Sequence, residues 1–179
     1  RTDMAKALGF DSYIEFQYKS LMRTDYDKED VAKYREFVKK YVTPVYLKLV
    51  EKQSKRIGIH DMKVYDQNIV FTDGNAKPHG GRDFLVENAR KMYAELSPQT
   101  KDFFEFMYER ELFDLESKKG KESGGYCTTM EDYDSPFIFA NFNGTTHDVE
   151  VMTHEAGHAF QSYTSMDGRI FEYIWPTYE

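Results

Sequence analysis

The sequence has a single cysteine, Cys127, so it can form no internal disulfide. A lone thiol suits a reducing compartment, and the cytoplasm is the expected location. It has no apolar run near the roughly 20 residues that a membrane helix needs, so no membrane partner is expected. It lacks an excess of positive charge: 24 Lys and Arg stand against 31 Asp and Glu, for a net charge of −7. A phosphate backbone calls for a basic face, and nucleic acid is therefore excluded as a partner. It also lacks internal repeats and low-complexity tracts.

What is present is aromatic mass and mixed charge. There are 14 Tyr and 14 Phe, and charged residues make up 31 % of the chain. With 179 residues this suits a folded domain with a real core, not a disordered tail. Both ends read as cut. The chain begins at Arg1, and Pro176 with Thr177 and Glu179 resembles the opening of a helix. A segment of a larger protein is expected.

Residues 1–117 read as helical. Thr2 and Asp3 open a first helix that Gly9 stops. Asp11 caps a second, with Tyr13, Phe16 and Leu21 at mostly helical spacing. A long pattern from about Asp27 to Arg56 carries Val31, Tyr34, Phe37, Val38, Tyr41, Val45 and Leu49 on one side. Pro44 should kink or split it. The turn-rich stretch YDQNIVFTDGNAKPHGG predicts a long ordered loop or short strands. Helical patterns resume from Asp83 to Leu96 and from Pro98 to about Leu115. The texture then changes. SKKGKESGG reads as a turning segment, and YCTTM and PFIFANF as two strands around an acidic turn, giving a β-hairpin over 124–142. Residues 145–164 close the legible part as a helix, with Thr145 and Asp148 spaced as a capping box.

That last helix contains the chemistry. His154 and His158 are four apart, hence on one face, with Glu155 beside the first. Two imidazoles so placed can converge on one zinc ion. A carboxylate one residue on can reach an activated water without binding the metal. Val149, Met152, Ala156, Ala159 and Tyr163 form an apolar stripe that anchors the other face. Gly157 breaks helix propensity by about 1 kcal/mol, which hints at a packing or site requirement. The competing reading is an ordinary amphipathic helix with two solvent-facing histidines. A catalytic zinc takes three protein ligands. The metzincin pattern would put Gly and His where Gln161 and Thr164 stand, so that class is excluded. The carboxylates that follow are Asp167, Glu172 and Glu179, none in a decisive context.

HEAGHAFQSY, preceded by FIFANFNGTTHDVEVMT and KGKESGGYC, resembles the catalytic core of the oligoendopeptidase F family. These are zinc metallopeptidases related to thimet oligopeptidase. MAKALGFDSYIEFQYKSLMRTDYD and KVYDQNIVFTDGNAKP resemble them too, so the likeness spans nearly the whole chain. It implies a mainly α fold: a helical metallopeptidase core with a small hairpin or sheet beside the zinc helix, acting on short peptides. It implies His154 and His158 as zinc ligands and Glu155 as general base. It also implies a third ligand, a Glu roughly 25 residues after the second His, which points just beyond Glu179. In related peptidases an edge strand beside the zinc helix pairs with substrate. FIFANF lies where that strand would be, which makes Phe139, Ala140 and Asn141 candidate substrate-binding residues. The hairpin can equally be a plain core element with Phe137 and Phe139 packed inward. Gly124 and Gly125 admit the same two readings, close approach of a peptide or shaping of a turn. Cys127 has no basic neighbour and reads as a buried thiol, and His147 as an exposed helix-start residue. His60 and His79 fall in loops. The function expected is that of a zinc endopeptidase, of which 1–179 holds only part of the site. The alternative is a catalytically incomplete peptide-binding or packing module.

Overall fold

The structure, a computed structural model, describes residues 1–166. The chain divides into two compact units, Arg1–Asn75 and Ala76–Pro176, the second described to Met166.

The first unit is helical. α1 (Thr2–Ala7) and α2 (Tyr13–Ser20) are short. The cap of α2 is Ser12, whose hydroxyl accepts the Glu15 N–H; Asp11 does not cap it. α3 (Lys28–Phe37) starts from a capping box between Asp27 and Asp30. It continues through a π-helical turn, Val38–Val42, into α4 (Thr43–Ile57). The expected break at Pro44 is absorbed here. The Thr43 N–H reaches back to Val38 O, one residue further than in an α-helix, and Pro44 then sits in the first turn of α4, where no N–H is needed. Gly58, at φ +73°, ends α4 in the left-handed region. The apolar stripe read along this helix is exposed, not buried: Tyr34, Phe37, Tyr41, Val45 and Leu49 are each more than half accessible. The following loop contains one 3₁₀ turn, Val64–Asp66, and no strand before Asn75. Side chains tether it: Gln53 donates to the carbonyls of Gln67 and Ile69, and Arg56 to that of Val70.

The second unit contains the sheet. α5 (Arg82–Leu96) and α6 (Pro98–Glu109) are joined by Ser97, whose hydroxyl caps α6 by accepting the Thr100 N–H. α6 stops at Glu109, short of the expected Leu115. Glu111 takes φ +53°, and the chain leaves as strand β1 (Phe113–Glu116). Its burial alternates, with Phe113 and Leu115 inward, which is the two-residue period of a strand. β2 (Tyr126–Met130) and β3 (Ser135–Phe142) form the expected antiparallel hairpin. β1 adds to the other side of β3 in parallel, so the order is β1-β3-β2. α7 (Thr146–Ser165) packs on β3 and β2.

One face of the sheet, α6 and α7 share a core. Phe103, Phe104, Met107, Ile138, Ala140, Ala156 and Ala159 have no accessible surface. Phe103 is ringed by Tyr93, Phe104, Phe160 and Tyr163, with centroids 5.4–6.3 Å away. Removing such a ring costs about 3–5 kcal/mol, so this cluster, not the surface ion pairs, holds the unit together. Among the described residues no helix is long and apolar enough to cross a membrane.

α5 and α6 are also cross-linked by a forked pair: Arg90 Nε and Nη2 donate to the two Glu105 oxygens at 2.7 and 2.6 Å. These bonds hold the Glu105 carboxyl below the usual carboxylate range. A lowered folded-state pKa contributes stability above the unfolded value, about 4.3, and that stability is lost as pH falls through the folded value. Glu105→Gln should therefore lower the melting temperature at pH 7. The gap to the unaltered protein should close below about pH 4 when followed by calorimetry.

Candidate metal centre

α7 is fixed at its start by an arrangement the sequence pattern misread. Thr145 is the N-cap residue, but its hydroxyl donates to Asn143 Oδ1 at 2.7 Å and no side chain caps the helix. The capping box is absent. Asp148, 3 % exposed, turns back and accepts the N–H groups of Asn143 and Gly144 at 2.9 and 2.7 Å. The end of β3 is thereby tied to the first turn of the helix. Further on, the buried Ser162 Oγ lies 2.7 Å from Thr129 Oγ1, a partly buried tie from α7 to β2. Of the predicted stripe, Met152, Ala156 and Ala159 are buried and Tyr163 partly so, while Val149 is exposed. Gly157 is exposed, and nothing lies within 4 Å of a Cβ placed on it, so no packing demand among the described residues explains it.

His154 and His158 are exposed one turn apart. Their rings are 4.8 Å apart and nearly perpendicular, at 82°. The two Nε2 atoms come within 3.1 Å. With Zn–N bonds of 2.0–2.1 Å, that separation subtends roughly 100°, close to the tetrahedral value, so the pair fits two corners of a zinc site. Glu155 is turned toward the sheet and is 8 % exposed. It joins His154, His147, Glu150, Val151 and Gly125 in lining a cleft of about 390 Å³. His147 lies beside Glu150, its Nδ1 3.4 Å from Oε2. His79 lines an apolar groove between α5 and α7, and His60 belongs to the first unit. Among the described residues, no three His, Cys, Asp or Glu side chains gather as a metal site. Asp167, Glu172 and Glu179 lie outside the described residues.

The edge expected at FIFANF is corrected by the sheet order. β3 is the central strand, hydrogen-bonded to β1 on one side and β2 on the other. The three residues read there as substrate-binding are engaged by their own chain. The Phe139 ring is stacked on Tyr126 at 4.9 Å, with Lys121 Nζ 4.4 Å from its centroid. Ala140 is fully buried. Asn141 donates its amide to Glu122 O and Gly124 O. Strand order is a long-range property, and a hairpin pattern does not disclose which of its strands a third will join.

The free edge beside α7 is that of β2, which pairs only with β3 among the described residues. The two glycines ahead of it have separate roles. Gly124 takes φ +97°. A Cβ on Gly125 would lie 3.2 Å from Val151 Cγ1, so a side chain there would press on the helix and Val151 would have to give by a few tenths of an ångström. The GG pair was the visible signal for this edge, but its two readings could not be separated from the sequence.

Two imidazoles one turn apart on a helix, with a carboxylate next to the first, have the spacing of an H-E-x-x-H motif. The profile of peptidase family M3 matches residues 1–177, and the chain belongs to that family. Among solved structures it is similar to PZ peptidase A with inhibitor 2, at 53 % identity and a TM-score of 0.93, over 98 % of this chain and 31 % of that one. It is also similar to a Bacillus anthracis str. Ames protein whose name, oligoendopeptidase F, is itself an assignment. There the identity is 50 % and the TM-score 0.93, over 99 % of this chain and 32 % of that one. The oligoendopeptidase F homolog of Lactococcus lactis subsp. lactis is 26 % identical over 131 residues, covering 73 % of this chain and 21 % of its own. The chain thus spans about a third of its solved relatives and about a fifth of the curated one.

Cys127 lies on the same strand, half-buried, and burial first and the Glu155 charge second push its thiol up to about 12. It is a neutral packing group at any working pH, as its lack of basic neighbours suggests. Alkylation of Cys127 by iodoacetamide at pH 8, read by peptide mass mapping, should be at least about tenfold slower in the folded than in the denatured protein.

Proposed function

We propose that this chain carries the central part of the active site of a zinc-dependent endopeptidase of short peptides, of the oligoendopeptidase F type. The observation that carries the reading is the pair of Nε2 atoms 3.1 Å apart on a helix whose Glu155 faces the same cleft. Membership of peptidase family M3 supports it. His154 and His158 would hold the zinc. When bound, the ion supplies a Lewis acid that polarises water and the scissile carbonyl. Glu155 takes the proton of the attacking water and returns it to the leaving amine. Glu155 is buried and lines the cleft, which supports its placement beside the water. The third ligand is assigned to a Glu roughly 25 residues after His158, just beyond Glu179, as the resemblance to oligoendopeptidase F implies.

The peptide is taken along the edge of β2, starting at Gly125 and Tyr126. Strand addition serves varied sequences because its hydrogen bonds go to main chain. This transfers the substrate contact from the expected 139–141 to 125–130, on the strength of the sheet order. The single thiol, unpaired within 1–179, supports a cytoplasmic protein.

A second reading, a peptide-binding module without activity, is favoured by one observation only: two histidines with no third ligand among the described residues. In the full-length parent, Glu155→Gln should reduce turnover of a quenched fluorescent peptide by about 10²-fold or more while zinc content is kept. Undiminished turnover would refute the role of Glu155. Equilibrium dialysis separates the two readings: weak zinc binding is expected for residues 1–179 and stoichiometric binding for the parent. Failure of the parent to bind zinc favours the module.

A further inference from the structure

The segment between β1 and β2 has no regular structure, yet it delivers the strand edge to the cleft. Two side chains hold it. Lys121 turns inward, with only 7 % of its side chain exposed. Its ammonium donates to the carbonyls of Asp114, Glu116 and Ala140 at 2.9, 2.8 and 2.6 Å. It lies 3.1 Å from Asp114 Oδ1, whose carboxyl its hydrogen bond holds below the usual range. These carbonyls come together at the irregularity in the β1–β3 pairing. Asp114 pairs with Phe139, but Glu116 pairs with Phe142, so β3 has one residue more than β1 across this interval. A bulge leaves main-chain groups without ladder partners, and the three donors of a lysine can satisfy such a set. Asn141, inside the same bulge, donates both amide protons outward, to Glu122 O at 2.9 Å and Gly124 O at 2.8 Å.

The two side chains act in opposite directions across one gap. Lys121 reaches from the loop into the sheet, and Asn141 from the sheet into the loop. Between them they fix residues 121–124, immediately ahead of Gly125, which lines the cleft with His154 and Glu155. An ammonium removed from water costs free energy unless it is fully partnered. A leucine would fill the same space without that demand, but it would leave the bulge carbonyls unbonded and the loop untied.

We propose that Lys121 and Asn141 are positioning residues for peptide binding: they set the start of the β2 edge at the distance from the metal pair at which a peptide main chain can pair with it. Neither touches the peptide. The inference rests on the reading of β2 as the peptide edge.

The test uses the full-length parent with Lys121→Met and Asn141→Ala, and two readouts. Amide exchange over residues 122–126 should speed up by about tenfold or more in each variant, with α5 and α6 unchanged. KM for a quenched fluorescent peptide should rise by about tenfold for Lys121→Met and about fivefold for Asn141→Ala, with kcat within about twofold and zinc content unaltered. Unchanged exchange in both variants overturns the bracing, and does so whatever Glu155→Gln does, because exchange requires no catalysis. Faster exchange with an unchanged KM overturns the link to peptide binding. A merely structural role lowers stability without this split between KM and kcat. Should Lys121→Met not fold, Asn141→Ala, which removes an uncharged group of intermediate exposure, decides the matter alone.

Discussion

The site depends on the close seating of α7 on the sheet. Ala156, Ala159 and Ser162 have no accessible surface, and Gly125 meets the helix from the strand side. Small residues on both partners let the helix backbone come near enough that one turn presents two imidazoles outward while Glu155, next to the first, is turned inward. The 3.1 Å between the ring nitrogens follows from helix geometry, but their place relative to a strand edge follows from this contact. The ties at the two ends of the helix, Asp148 to the turn before it and Ser162 to Thr129, prevent it from sliding along the sheet.

Much of this was legible because it is local. The four-residue spacing of His154 and His158 with Glu155 between them needs only the periodicity of one helix, and the hairpin needs only two short apolar runs around a turn. The helix start was half legible. Thr145 and Asp148 have the spacing of a capping box, but a buried carboxylate with two N–H groups of the preceding turn in reach binds those instead. β1 escaped notice because four strand residues follow directly on a strongly apolar helix, and the break falls at Glu111, a residue type that does not ordinarily mark one. The centrality of β3 followed from β1 and was lost with it.

Membership of peptidase family M3 and the geometry bear on different questions. The family says which proteins share this ancestry. The geometry says which groups of this chain stand around the cleft and which are occupied elsewhere. The difference matters at Phe139, Ala140 and Asn141, where a motif-level reading assigned contacts to a peptide. These side chains are committed to the sheet and its loop. The free sheet edge beside α7 lies one strand over, on β2.

The π-helical turn at Val38–Val42 has an effect on the chain beyond its own five residues. It is one residue longer than the α-helical turn it replaces, and each residue of an α-helix advances the winding by about 100°. Loss of one amino acid from this turn would let it close as an α-helical turn, with its two halves in nearly the same phase as before; rewinding it as α-helix with no loss would put them out of phase. In the second case every side chain from Val45 to Leu49 would swing about a quarter of the way round the axis relative to Tyr34 and Phe37. The turn acts as a phase setting, written into the chain as a count of residues and not as any particular side chain.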